Sequence, residues 1–361
     1  MTRSIFTAAA VATLIAGAAT ADEVRVYNWS DYIDEDLLAK FEEETGIELI
    51  YDVFDSNEVL ETKMLAGGSG YDVVVPTGTF LQRQITAGAF QKLDMSKLPN
   101  MENMWDVVES RTEQYDPDNA YSINYMWGTT GIGVNVGKVQ EILGEDAPID
   151  SLELVLNPDN MSKLADCGVH FLDAPAEMIP MALKYMGEDP DSHDPEKIEA
   201  AADKLTEVRP YIQKFHSSEY INALANGDIC VAVGWSGDIL QARDRAAEAD
   251  NGVEIAYNAA KEGAQMWFDQ MAIPADAPNP EAAHVFLNFI MDAQNMAAAS
   301  NYVYYANGNE ASQEFLVEDV IEDPAIYPDA ATLDNLFTTT PYPPKVQRVV
   351  TRAWTRVKSG T

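Results

Sequence analysis

The sequence predicts an α/β protein with two domains, each built on a mixed, largely parallel sheet flanked by helices. Three observations carry this reading. Near the start of the mature chain, strand-like and helix-like segments alternate as β-α-β-α-β, the pattern that closes a parallel sheet with helices on its faces. Near the middle of the chain a strand-helix-strand pattern begins again, from residue 168. A length of 361 residues with 47% hydrophobic composition is enough for two packed cores.

Residues 24–28 alternate like a strand, and residues 35–44 repeat at helical spacing with Leu37, Leu38 and Phe41 on one face before Gly46. Residues 47–54 are strand-like again. Asp55 and Glu58 have the spacing of a capping box for a helix running through Leu65, and Gly67, Gly68 and Gly70 separate it from a buried strand at 71–76. In the second half, residues 168–172 predict a strand, residues 173–177 open a helix, and residues 228–234 predict a second buried strand. Residues 188–196, rich in acids and proline, predict a surface loop. Ligands on such sheets gather beyond the carboxyl ends of the strands, which nominates residues 29–32 and 77–79.

Residues 1–21 have the layout of a secretory signal: Arg3, an apolar run from Ile5 to Ala18, then Ala19-Thr20-Ala21. The run is too short and alanine-rich for a spanning helix, and no cysteine follows for a lipid anchor, so cleavage after about Ala21 and a periplasmic destination are expected. The formal charge of -36, from 59 acidic against 23 basic residues, argues against nucleic acid or an anionic membrane as partner and favours cationic ligands. Most of that excess serves as solvated surface. The two cysteines, Cys167 and Cys230, enter an oxidising compartment, where a disulfide is the simplest expectation and two buried thiols the alternative.

Conventional catalytic patterns do not occur. His170, His193, His216 and His284 lack metal-ligand spacing, and the acids around Asp189 lack the glycine and terminal glutamate of a calcium loop. Gly131, Gly133 and Gly137 miss the dinucleotide fingerprint by one residue, and the run from Gly234 to Asp238 fails the nucleophile elbow. No metal and no cofactor are expected.

The chemistry lies instead in three tryptophans followed closely by aspartates: Trp29-Ser30-Asp31, Trp235-Ser-Gly-Asp238 and Trp267-Phe-Asp269. Singly, each pair suits a core tryptophan beside a capping aspartate. Together they suit a small cation with apolar methylenes, because an aromatic face attracts cations and a carboxylate supplies the counter-charge that a desolvated ammonium needs. Two classes of function fit: a binding protein whose lobes close on a cation, and a secreted glycoside hydrolase or sugar-binding protein using tryptophan platforms with paired carboxylates. The near absence of amides and arginines among these residues favours the first.

The runs Tyr27-Asn-Trp-Ser-Asp-Tyr32, Phe54-Asp-Ser-Asn-Glu-Val-Leu-Glu61, Val75-Pro-Thr-Gly-Thr-Phe80, Phe171-Leu-Asp-Ala-Pro175, Phe215-His-Ser-Ser-Glu-Tyr-Ile-Asn222 and Tyr304-Tyr-Ala-Asn307, with the ending from Arg352 to Gly360, resemble the putrescine/spermidine-binding proteins of bacterial polyamine ABC transporters. The resemblance spans nearly the whole mature chain. It implies the two-lobed periplasmic binding fold of type II, with the ligand in the interlobe cleft, lobe 1 from residues 22–127 and 251–297, and lobe 2 from 128–250 and 298–361. It implies a monomeric non-enzyme that hands putrescine or spermidine to an inner-membrane ABC permease. By the same resemblance Asp31, Glu177, Asp238 and Asp269 are the acidic positions of the site, Trp29, Tyr32, Trp235, Trp267 and Tyr305 its aromatic walls, and Ser30 and Thr77 its hydroxyls. Asp238 looks like the putrescine-preferring members and Trp267 like the spermidine-preferring ones, while Thr339, expected near the distal end of the cleft, decides nothing alone. A buried carboxylate beside an ammonium outweighs a change of ring, which favours putrescine.

Overall fold

A computed structural model describes residues 23–360; the expected signal segment lies outside the described residues. Among the described residues, ten strands form one continuous sheet: β1 (Glu23–Trp29), β2 (Glu48–Phe54), β3 (Val73–Val74), β4 (Ser122–Asn135), β5 (Val169–Phe171), β6 (Lys214–Phe215), β7 (Val231–Trp235), β8 (Ile255–Asn258), β9 (Gln265–Ala272) and β10 (Ala306–Asn307). The order is β2-β1-β3-β9-β4-β7-β5-β6, with β8 and β10 also paired to β4. Both flanks are parallel, β2-β1-β3 on one side and β7-β5-β6 on the other. The middle is antiparallel, through β3-β9, β9-β4 and β4-β7.

The predicted elements form for the reasons the sequence suggests, with two local differences. The helix Glu35–Thr45 buries Leu37 and Phe41 and ends at Gly46, whose φ of 71° is the left-handed cap that glycine adopts without strain. The next helix, Asn57–Ala66, is capped by Ser56, whose hydroxyl accepts from Val59 N, and not by Asp55. That one-residue shift leaves the Asp55 carboxylate free of capping duty. The expected strand at 71–76 pairs only at Val73–Val74. Pro76 has no N–H to donate, and Asp72 uses its carboxylate to accept from Arg25 N at 2.9 Å.

Of three hydrophobic clusters among the described residues, the two larger lie on the two halves of the sheet, and the smallest gathers around Trp127, Met266 and Phe268. The first joins residues from Val24 to Met126 with residues from Trp267 to Tyr305; the second joins residues from Ile132 to Ala260 with Tyr342, Val350, Ala353, Trp354 and Val357 of the C-terminal segment. Strand β4 runs from one core into the other: Ile123, Tyr125 and Met126 belong to the first, Ile132 and Val134 to the second. Between them lie Gly128 to Gly131, which bring little side-chain volume to the crossing. Of the near-fingerprint glycines, Gly131 and Gly133 are part of this strand and Gly137 lies in the helix Val136–Leu143 that follows it; Gly131 leaves no room for a side chain, since a Cβ there would sit 2.4 Å from the Asn258 carbonyl oxygen.

Cys167 and Cys230 are joined, with Cα atoms 5.6 Å apart. Cys230 immediately precedes β7 and Cys167 lies two residues before its parallel neighbour β5, so the bond ties the starts of the two strands across a separation of 63 residues. On the chain-entropy model such a closure contributes about 4 kcal/mol. Peptide mapping without reductant should recover the linked pair, and reduction should lower the melting temperature. Two alkylatable thiols in unreduced protein would contradict the bond.

Candidate ligand-binding site

The parallel flanks aim their carboxyl ends at one another across the crossing strands. From the first half, β1 ends at Trp29, β2 leads into Asp55, and the turn after β3 presents Thr77. From the second, β5 leads into the helix Pro175–Tyr185 with Glu177 in its first turn, β6 leads to Ser217, and β7 ends at Trp235 before the helix Ser236–Glu248 with Asp238 in its first turn. β9 contributes Trp267 and Asp269 from the middle of the sheet, and Tyr305 precedes β10.

These residues converge. A cavity with about 430 Å³ of space between its atoms, part of it open to solvent, is lined by Trp29, Ser30, Tyr32, Asp55, Thr77, Glu177, Ser217, Trp235, Asp238, Trp267, Asp269 and Tyr305. Every residue that the resemblance assigns to the site lines it except Asp31, and of the strand-end positions 77–79 only Thr77 does. Asp31 has a left-handed φ of 55° and turns outward, where its carboxylate pairs with Arg245 at 2.9 Å and its carbonyl accepts from Gln241 Nε2. Asp31 therefore ties the rim of one half to the helix Ser236–Glu248 of the other and leaves the lining to its neighbours. Asp55 and Ser217 were not nominated; Asp55 directly follows β2 and Ser217 lies two residues past β6, and that position beyond the strands of the parallel flanks was the signal available. Thr339 is buried under Gln265, whose amide it accepts at 3.2 Å, and is absent from the lining.

Three carboxylates define the electrostatics. Asp269 accepts from Thr77 Oγ1 at 2.6 Å and Tyr32 Oη at 2.8 Å, one donor on each oxygen. Asp238 accepts from Tyr220 Oη at 2.7 Å and Tyr305 Oη at 2.8 Å, again one on each. Glu177 receives Trp235 Nε1 at 2.8 Å and the Thr130 hydroxyl on Oε2 alone, which leaves Oε1 open. All these donors are neutral. Burial is the largest influence on each acid and pushes each up to about 7, against the smaller pull of these hydrogen bonds. Among the described residues, no lysine or arginine lines the cavity. Glu177 and Asp238 also offset the partial positive charge of the helix starts on which they sit, which would otherwise repel a cation.

The rings wall the cavity in two contacting groups. Tyr32 meets Tyr305 edge-on at 5.3 Å, Tyr305 meets Trp267 at 5.4 Å, and Trp29 meets Trp235 at 5.4 Å from the opposite half. Trp29 Nε1 is anchored on the Val75 carbonyl at 2.9 Å, whereas Trp267 Nε1 and Ser217 Oγ are buried without a partner. Glycine makes the wall possible at two places: a Cβ at Gly237 would lie 2.4 Å from the Tyr305 ring, and one at Gly128 would lie 2.9 Å from the Trp267 ring. Behind the wall, Asn57 Nδ2 donates to Thr77 Oγ1 at 2.9 Å, which orients the hydroxyl toward Asp269. Such a site matches a slender molecule with positive ends and an apolar middle.

Comparison with known proteins agrees with this geometry. Residues 36–328 match the family model described as bacterial extracellular solute-binding protein. The chain is 51% identical over 354 residues, 98% of its own length and 95% of the relative's, to the putrescine-binding periplasmic protein PotF of Escherichia coli K12. It is likewise 51% identical to the putrescine-binding periplasmic protein SpuD of Pseudomonas aeruginosa, over 96% of this chain and 95% of the other. The solved structure of the spermidine/putrescine ABC transporter substrate-binding protein PotD of Streptococcus pneumoniae superposes with a TM-score of 0.74 at 29% identity, covering 94% of this chain and 99% of that one.

Replacing Asp269 with asparagine keeps the shape of the site but removes a counter-charge from a buried position. Titration calorimetry with a linear diamine should show a loss of about 3 kcal/mol or more, roughly a hundredfold in affinity. Wild-type affinity would take Asp269 out of the site.

Proposed function

The chain belongs to the bacterial extracellular solute-binding proteins, and on that premise we propose that it binds putrescine in the periplasm as the substrate-binding component of a polyamine ABC transporter, with spermidine as a second ligand. One observation carries the proposal: Asp55, Glu177, Asp238 and Asp269 line a single cavity with aromatic rings between them and with no basic side chain. A buried carboxylate without a cation is costly, and a diammonium is the small molecule that neutralises several at once. Sugar sites usually mix amide or guanidinium groups with the acids to satisfy the hydroxyls, and the lining residues include neither.

In this proposal one ammonium sits between Asp238 and Asp269, whose hydroxyl partners Tyr305 and Tyr32 pack together, and the other lies toward the open Oε1 of Glu177. The methylenes run along Trp29, Trp235 and Trp267. Preference for putrescine follows from Asp238, whose charge contributes more than the extra bulk of Trp267. The protein closes on its ligand, delivers it unchanged to an inner-membrane permease and acts as a monomer without catalysing a reaction; the signal at residues 1–21 brings it to the periplasm. The lobes are those expected from the sequence, 22–127 with 251–297 and 128–250 with 298–361, with two adjustments. Ile255 and Ala260 pack with the second core and Ala299, Val303 and Tyr305 with the first, so we set the return crossings after these residues.

Closure is favoured because only the closed form brings Asp269 of one lobe and Glu177 of the other to the same molecule. Small-angle scattering should show a smaller radius of gyration with saturating putrescine, and mass analysis should recover the amine unmodified. An unchanged radius would overturn lobe closure, and a modified amine would overturn the non-catalytic role. Competition between putrescine and spermidine in calorimetry should favour putrescine; the reverse order would overturn the preference.

A further inference from the structure

Tyr220 stands behind the cavity without reaching it. It opens the helix Tyr220–Ala225, is fully buried and is absent from the lining, although Ser217, three residues earlier, belongs to it. Its hydroxyl makes two bonds at the edge of the site: it accepts from Trp235 N at 3.1 Å and donates to Asp238 Oδ2 at 2.7 Å. The incoming N–H occupies a lone pair and leaves the O–H for the carboxylate, which fixes the direction of the proton. A hydroxyl that accepts one hydrogen bond is also a stronger donor in the next. Trp235 in turn donates through Nε1 to Glu177 at 2.8 Å, so a single buried oxygen stands one step from both acids of the second half.

Asp238 takes one hydroxyl from each half of the molecule. Tyr305, which packs with the first core, accepts from Asp238 N at 3.1 Å and donates to Oδ1 at 2.8 Å. Tyr220 packs with the second core, as do Ile239 and Ala242 of the helix that carries Asp238. Glycine secures the placement, since a Cβ at Gly234 would lie 2.6 Å from the Tyr220 ring. The charged groups acting on Asp238 are Asp31 and Arg245, which pair with each other at 2.9 Å, and Asp269 of the same cavity.

We infer that Tyr220 is a positioning residue for the ligand: its hydroxyl holds the Asp238 carboxylate set for an ammonium on the second half before the lobes close, and Tyr305 completes the clamp from the first half. This rests on the diammonium reading of the cavity. Opening parts Asp238 from Tyr305 and leaves Tyr220 in place. The consequence is a competition between proton and ligand. Burial pushes the Asp238 carboxyl up to about 7, and the Tyr220 bond is the strongest pull against it. Without that bond the carboxyl keeps its proton to higher pH, and an ammonium must displace the proton before it can pair. Once Asp238 is ionised the missing bond is missing in free and bound protein alike, so affinity changes little.

The test is titration calorimetry of the full mature protein with putrescine at about pH 6 and about pH 8.5, on wild type, on Tyr220→Phe, which keeps the ring, and on Gly234→Ala, which keeps the hydroxyl but displaces it. Each variant should bind about tenfold more weakly than wild type at the lower pH and within about twofold of it at the higher. In an Asp238→Asn background, where no proton can be held, Tyr220→Phe should add no pH-dependent loss. A loss of equal size at both pH values, no loss at either, or the same pH-dependent loss in the Asp238→Asn background overturns the positioning role and leaves the ligand reading intact. If wild type does not bind putrescine at either pH, the ligand reading itself fails, and the positioning role falls with it.

Discussion

Burial of three carboxylates in a cleft without a basic side chain is the constraint on which the rest of the structure depends. Glu177, Asp238 and Asp269 are each pushed up to about 7 by desolvation, so the cleft is a costly place for their charges. The hydroxyls of Thr77, Tyr32, Tyr220 and Tyr305 offset part of that cost without neutralising it. What is missing is positive charge, and the site is shaped so that a ligand brings it. In the proposed function, specificity for a cation and preference for closure thus have one physical source.

The scaffold serves this arrangement by making both halves share a sheet. β4 and β9 run antiparallel through the centre, so β9 can carry Asp269 while β4 carries Thr130, the hydroxyl partner of Glu177. Parallel flanks then deliver the remaining groups from their carboxyl ends. Asp31 shows how the rim is used differently from the floor: its pair with Arg245, whose side chain is about a third exposed, is a screened surface contact of at most about 1 kcal/mol. It aligns the halves but contributes little of the binding energy.

Much of this was legible in the sequence where the pattern is local. Strands β1 and β2 and the helix Glu35–Thr45 follow from alternation, helical spacing and Gly46, and the Trp–Asp pairs pointed to Trp235, Asp238, Trp267 and Asp269. The family resemblance supplied Glu177 and Tyr305, which no spacing connects to the tryptophans. The central strands escaped because β4 is interrupted by Gly128, Gly131 and Gly133, and β9 buries Gln265, Asp269 and Gln270, so neither alternates. Asp31 was nominated by adjacency to Trp29, but its left-handed backbone sends the carboxylate outward, and a conformation at one residue is not encoded in spacing. Asp55 was assigned to helix capping, and only the structure shows Ser56 in that role.

If unneutralised carboxylates are what opposes closure, acid should do part of the ligand's work. The closed form holds these groups at about 7, far above the ordinary value of 3.8 for the two aspartates, so it binds more protons than an open, hydrated form. The penalty for closing is therefore absent well below that ordinary value, grows as pH rises and is complete above about 7. Small-angle scattering of ligand-free protein at about pH 5 and pH 8 tests this most directly. The account predicts a smaller radius of gyration at the lower pH, with the difference reduced in Asp238→Asn. A ligand-free radius that does not change with pH would contradict it.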